Sequence, residues 1–273
     1  MAARKKSRGA TKKVAERNLT KELAQLLAKV LLPDLEERAQ QPSVAEALKH
    51  QYALDRALGR TADDIDDWTT RTLEQIGVAW ILSCVFVRTL EDRGYLTHSR
   101  IAGEGAADSQ HIFLQELFPE LRERDYLLAV FREVSHLPGG EDVLGPRHNA
   151  AWRLSPSAEV VRTLLNFFRE VDGDGKLVWT FSGSSTRFLG KLYEDISASV
   201  RERFALLQTP PFVERFILEL TLDPAIAEFG LEDIRVLDPT CGSGHFLLGA
   251  FRRILDARRL RAHPGRLVVP CVP

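Results

Sequence analysis

The stretch Val236-Leu-Asp-Pro-Thr-Cys-Gly-Ser-Gly-His-Phe246 constrains the fold more than any other part of the chain. Ile234 to Leu237 predicts a short apolar strand that ends on an acid, Asp238. A glycine loop follows, and Phe246-Leu-Leu-Gly-Ala-Phe251 reads as the first turns of a helix. Strand, glycine loop and helix start together let backbone approach a polar ligand. Gly242 and Gly244 lack a Cβ to block that approach, and the first turn of a helix offers unpaired N–H groups.

Spacing separates the ligands that use such a loop. A dinucleotide fingerprint requires a third glycine where Leu247 stands. A phosphate-binding P-loop requires a Gly-Lys-Ser/Thr ending, which the chain lacks. An ordinary strand-to-helix turn with packing glycines is the plain alternative. It leaves unexplained why the acid, the proline, both glycines and Phe246 coincide.

Charge is distributed unevenly. Residues 1–20 hold seven Lys/Arg against one acid, and residues 252–273 hold six Arg against one, so the middle is acidic. Arg4, Lys5, Lys6, Arg8, Lys12 and Lys13 are candidates for DNA phosphate contacts, with a solvated tail as the plain reading. Cys84, Cys241 and Cys271 lie far apart, which fits neither a disulfide framework nor a zinc site and suits a reducing cytoplasm. Histidines are scattered, so no metal is expected. The Asp172-Gly-Asp-Gly175 stretch imitates a calcium loop, but Phe181 stands where the bidentate glutamate belongs, so it reads as a turn before a strand from Leu177 to Phe181. The longest apolar run, Ile76 to Val87, is too short to span a bilayer and predicts a buried helix.

The rest of the chain reads as helices. One carries Leu19, Leu23, Leu27 and Val30 and ends at Pro33; the next is capped by Ser43 and stopped by Gly59. The longest starts at the acidic cluster 63–67, which suits the helix dipole, and stops at Gly94. Others are expected over 110–118, over 120–134, and from Ser155-Pro156 to about Glu170. A helix carrying Leu189-Gly-Lys-Leu-Tyr-Glu194 should run to about Leu207. In Gln208-Thr-Pro-Pro-Phe-Val213, Thr209 suits an N-cap and Pro210 or Pro211 the first turn, with Phe212, Val213, Phe216 and Leu220 as the apolar face. Asp223-Pro224 should end that helix.

Three elements in this order, Leu-Gly-x-x-Tyr-Glu, then Thr-Pro, then Asp-Pro-x-x-Gly-x-Gly-x-Phe, resemble the type I and type IIG restriction-modification adenine methyltransferases. The match is closer to the PglX-like adenine-specific DNA methyltransferases of BREX phage-resistance systems. It is carried by residues 186–195, 206–217, 221–226 and the glycine loop. The resemblance implies an α/β fold: a mostly α-helical N-terminal region followed by the truncated start of a Rossmann-like methyltransferase domain that takes S-adenosylmethionine as cofactor. It places the cofactor on Thr209, Pro210, Asp238, Pro239, Thr240, Gly242, Gly244 and Phe246. DNA is the implied partner, with other phage-defence subunits or a missing C-terminal half alongside, and a cytoplasmic location.

The implied division is a basic arm over 1–16, a helical domain over 17–184, the start of the methyltransferase domain over 185–257, and an atypical tail over 258–273. The family's second acidic residue and its Asn-Pro-Pro-Tyr-type loop, which holds the flipped adenine, do not occur after Gly244. The expectation is therefore a truncated or frameshifted fragment that is inactive alone. A non-catalytic DNA- or partner-binding fragment, or a protein or small-molecule methyltransferase, are the alternatives.

Overall fold

The computed structural model describes residues 19–183, 188–196, 209–241 and 244–262. The basic arm with Arg4, Lys5, Lys6, Arg8, Lys12 and Lys13 lies outside the described residues, as do Gly242, residues 197–208 and the tail from residue 263. The chain divides into two compact units, one of residues Met1–Ser184 with Leu192–Ser199 and one of Ser185–Lys191 with Val200–Pro273.

The first unit is helical and is built on α3 (Ile65–Asp92). Asp64 caps it, its carboxylate accepting from the N–H groups of Asp66 and Asp67 at 3.0 and 2.9 Å. The acidic cluster is therefore a cap, as its position predicts. At the other end Gly94 takes φ 70°, and the Tyr95 N–H reaches back to the Leu90 carbonyl at 2.9 Å. Ile76, Trp80, Ile81, Cys84 and Val87 are buried. α3 is the one described helix long and apolar enough to cross a membrane, and most of that stretch is covered by its own neighbours.

α1 (19–39) packs on α3 where Gly77 leaves room for Leu27. Pro33 does not end α1, contrary to the sequence reading. A π turn over Leu27–Leu31 precedes it, with the Leu32 N–H donating to the Leu27 carbonyl, and this wide turn relieves the crowding a proline ring imposes four residues back. α2 (Pro42–Ala57) takes Gln41 as its N-cap and Pro42 at its first position, not Ser43. Gly59, at φ 67°, stops it as expected.

Next come α4 (Ala106–His111), a π turn (Ile112–Leu117), α5 (Glu123–Ser135), α6 (Gly140–Leu144) and a 3-10 turn (Ala150–Trp152). α7 (Ala158–Phe168) is capped by the Ser157 hydroxyl, so Pro156 stands outside the helix. Trp80 packs against Phe131 of α5, ring centroids 5.5 Å apart, and donates its indole N–H to the Leu154 carbonyl at 3.1 Å.

A buried ionic cluster closes this core. Arg88, fully buried, bonds Glu91 at 2.7 Å, Asp92 at 2.6 Å and the Ala102 carbonyl at 2.8 Å. Glu91 also accepts from the backbone N–H groups of Arg100 and Ile101, and Asp92 from that of Phe181. Three distant segments are thereby tied to the end of α3.

The expected strand from Leu177 to Phe181 reduces to a single antiparallel bridge between Val171 and Leu177. Between them the Asp172 carboxylate accepts from the N–H groups of Asp174 and Lys176 at 2.9 Å each, which makes the stretch a self-capped turn.

Candidate functional site

The second unit carries the candidate site on two packed helices, α9 (Pro211–Asp233) and α10 (His245–Ala262), and the loop between them. α8 (Phe188–Ile196), with the Leu-Gly-x-x-Tyr-Glu motif, precedes them, and its expected continuation to Leu207 lies outside the described residues.

Pro211 opens α9 and Pro210 stands at its N-cap; Thr209 is one residue further out and does not cap it. The helix passes through Pro224 instead of ending there, and breaks only at Gly230 (φ 76°, ψ 174°). Packing explains this persistence. Leu218, Leu222 and Ile226 recur every fourth residue on one face and pack with Ala250, Phe246 and Ile254 of α10. One backbone hydrogen bond lost at proline, about 3 kcal/mol, is offset by burying several such side chains at roughly 1.5–3 kcal/mol each.

The face that the sequence put inside is outside. Phe212, Phe216 and Leu220 are exposed, Phe212 by 72%, while Glu214, Leu218 and Leu222 form the buried row. α9 is apolar on two sides, and periodicity alone cannot rank them. On α10 the predicted face divides the same way: Phe246, Ala250 and Ile254 meet α9, whereas Leu247 and Phe251 are exposed.

Arg253 clamps the pair from the rim, at 2.5 Å from Asp223 and 3.2 Å from Glu219. Burial pulls this guanidinium down, but the hydrogen bonds and charges of the two carboxylates outweigh it and carry Arg253 above its ordinary value.

Ile234 to Asp238, expected as a strand, is extended but unpaired, and Leu237 is 87% exposed. Strand ladders need a neighbour to supply N–H and C=O partners, and none of the described residues provides one here. No Rossmann sheet is formed among the described residues; the helical part of the expected fold is what they contain.

Asp238 turns the chain on itself. Its carboxylate accepts from the Thr240 N–H at 3.1 Å and the Thr240 hydroxyl at 3.4 Å, across the exposed Pro239. Gly244 takes φ 79°, a conformation that favours glycine, and a Cβ there would meet nothing within 4 Å. The Gly244 N–H closes the loop onto the Cys241 carbonyl at 2.8 Å, and its own carbonyl receives the Leu248 N–H at 2.9 Å. The loop thus delivers the chain into α10 with the N–H groups of 245–247 at an open end. Asp238, Pro239, Thr240, Gly244 and Phe246 are brought into this one turn and helix start.

Against curated proteins, the chain is 38% identical over 226 residues to the adenine-specific methyltransferase PglX of Streptomyces coelicolor. The chain is PglX-like. That match takes in 78% of this chain and 19% of the relative, so the chain spans about a fifth of that protein's length. No protein-family model and no solved structure matches it.

Within this PglX-like unit, the motif reading missed the residues that join the two helices. Glu214 is buried, 3% exposed, and its carboxylate lies where a Cβ of Gly249 would stand. His245, one helical turn before Gly249, is also buried. The signal was present as Glu214-x-x-x-Leu218-x-x-x-Leu222 and as a glycine inside a helix, but a charged residue in an apolar row reads as a break in the pattern.

Proposed function

We propose that these residues are the cofactor-binding part of an adenine-specific DNA methyltransferase of the PglX kind, acting in phage defence. The observation that carries this reading is the Asp238–Thr240 turn and positive-φ Gly244 at the open end of α10, in a chain 38% identical to a PglX. The local geometry fits S-adenosylmethionine: the loop is exposed, space is free at Gly244, and N–H groups at the helix start suit the carboxylate of the methionine portion. Bound there, the cofactor supplies an electrophilic methyl group. Asp238 holds the turn, Gly242 and Gly244 admit the ligand to backbone, and Phe246 anchors the loop to α9. Thr209 and Pro210, at the start of α9, complete the wall.

The same reading makes Ile234 to Leu237 the first strand of a Rossmann-like sheet. Phe212, Phe216, Leu220 and Leu237 are then surfaces for such a sheet or for a partner to cover, since several exposed apolar side chains in one unit favour association. DNA contacts by the basic residues of the N-terminal arm belong to the proposal too.

Transfer to adenine requires acceptors for the exocyclic amine and a ring to stack on the flipped base. The 273 residues contain no Asn-Pro-Pro sequence after Gly244. The polypeptide of these 273 residues should therefore transfer no methyl group. Incubation with methyl-labelled S-adenosylmethionine and host DNA tests this, with Gly242→Val as control. Label in adenine above that control would refute it.

A further inference from the structure

Glu214 stands in the seam that joins the two halves of the candidate site. It lies on the first turns of α9, just after the Thr209-Pro210-Pro211 opening, and its backbone N–H donates to the Pro210 carbonyl at 3.1 Å. Its side chain is buried against α10, the helix that leaves the glycine loop. Contact is made at Gly249, where a Cβ would overlap the carboxylate and would also come within 2.9 Å of Leu218 Cδ1. An ordinary residue at position 249 would push the helices apart, so glycine at 249 and glutamate at 214 are a matched pair.

A buried carboxylate is costly unless its charge is used. Two features of α10 use it. Negative charge is favourable beside the first turns of a helix, where the N–H groups carry the positive end of the dipole. Those turns begin at Gly244 and His245, the residues by which the loop enters the helix. A hydrophobic side chain at position 214 would fill the seam as well but would not orient the helix start. Leu218 and Leu222, on the next turns of the same row, already supply the packing.

We propose that Glu214 is a positioning residue for the loop, its buried charge fixing the start of α10, and with it Gly244, against the Thr-Pro end of α9. The inference rests on the cofactor reading of that loop. Glu214 touches no substrate in this account; it acts through α10.

The test uses Glu214→Gln and Glu214→Asp in the protein at the full length its gene encodes. Two readouts are taken: hydrogen exchange of the amides over 241–250 without cofactor, and S-adenosylmethionine affinity by calorimetry. Gln keeps the volume and loses the charge. Exchange over 241–250 should quicken at least tenfold and affinity fall about tenfold, while circular dichroism stays that of the wild type. Asp keeps the charge and should stay within about threefold of wild type in both. Unchanged exchange and affinity in Glu214→Gln, with a wild type that binds, would overturn this inference alone. So would equal losses in Gln and Asp, or a global loss of fold in Gln, since each would make Glu214 a packing element. A wild type that shows no heat with S-adenosylmethionine would overturn the methyltransferase reading and this inference with it.

Discussion

Replacing Arg88 by methionine should be the most damaging single change to the helical unit. Arg88 is fully buried and holds Glu91 and Asp92 at 2.7 and 2.6 Å. Removing one partner of a buried ion pair costs about 3–5 kcal/mol, because the other charge stays buried. Here the carboxylates keep some support, since backbone N–H groups of Ile101 and Phe181 still reach them at 2.7 and 2.6 Å. The Ala102 carbonyl loses its donor, worth about 1 kcal/mol or more, and Phe181 loses a guanidinium 5.9 Å from its ring centre. The expected loss is about 3–4 kcal/mol, a large part of the roughly 5–15 kcal/mol that holds a domain together. Urea unfolding followed by circular dichroism measures it. Neutralising the acids as well, in Arg88→Met with Glu91→Gln and Asp92→Asn, should recover at least half. A loss below about 1 kcal/mol in Arg88→Met, or no recovery in the triple variant, would show that the cluster is not an obligate charge balance.

Ring burial pushes the Tyr126 phenol up to about 12, against the lowering effect of Arg169 and Arg100, whereas an unfolded tyrosine ionises near 10. The stability held by the neutral phenol should therefore decline as pH rises from about 10 to about 12, and Tyr126→Phe should flatten that decline in unfolding curves taken across the range. The same change should cost about 1 kcal/mol at neutral pH, because the hydroxyl donates to the Arg100 carbonyl at 2.8 Å. Burial, with the charge of Glu91, raises the Cys84 thiol well above its usual range, while Cys241 is exposed in the loop. Peptide mapping after brief alkylation should find Cys241 modified and Cys84 intact, and S-adenosylmethionine should slow the reaction at Cys241; equal rates at both would refute the burial argument. Gly249→Ala should lower thermal stability by an amount worth about 1–2 kcal/mol, since overpacking outweighs the usual gain in helix propensity; a more stable variant would mean that Glu214 yields freely.

The helical unit was legible in the sequence wherever a local device fixed an end. Asp64, Gly59 and Gly94 cap or stop their helices through short-range hydrogen bonds that residue type announces. Prolines misled, because Pro33 and Pro224 sit in helices whose packing or π-turn geometry outweighs one missing N–H. Direction of burial on α9 was not legible either: a helix apolar on two sides needs its neighbour to decide between Leu218 and Phe216. At the site, the loop's glycines and acid were readable as a motif, because each has a backbone task. Glu214 was not, since its role exists only once Gly249 faces it across the seam. The strand at 234–237 illustrates the opposite limit: its residues suit a strand, but pairing is a property of neighbours.

The most direct test of the account is a calorimetric titration of S-adenosylmethionine into the protein at the full length its gene encodes, beside Gly242→Val. A side chain at 242 would occupy the space where the ligand meets backbone. Saturable binding by the wild type that Gly242→Val abolishes is the predicted result; equal affinity in the two proteins would contradict it.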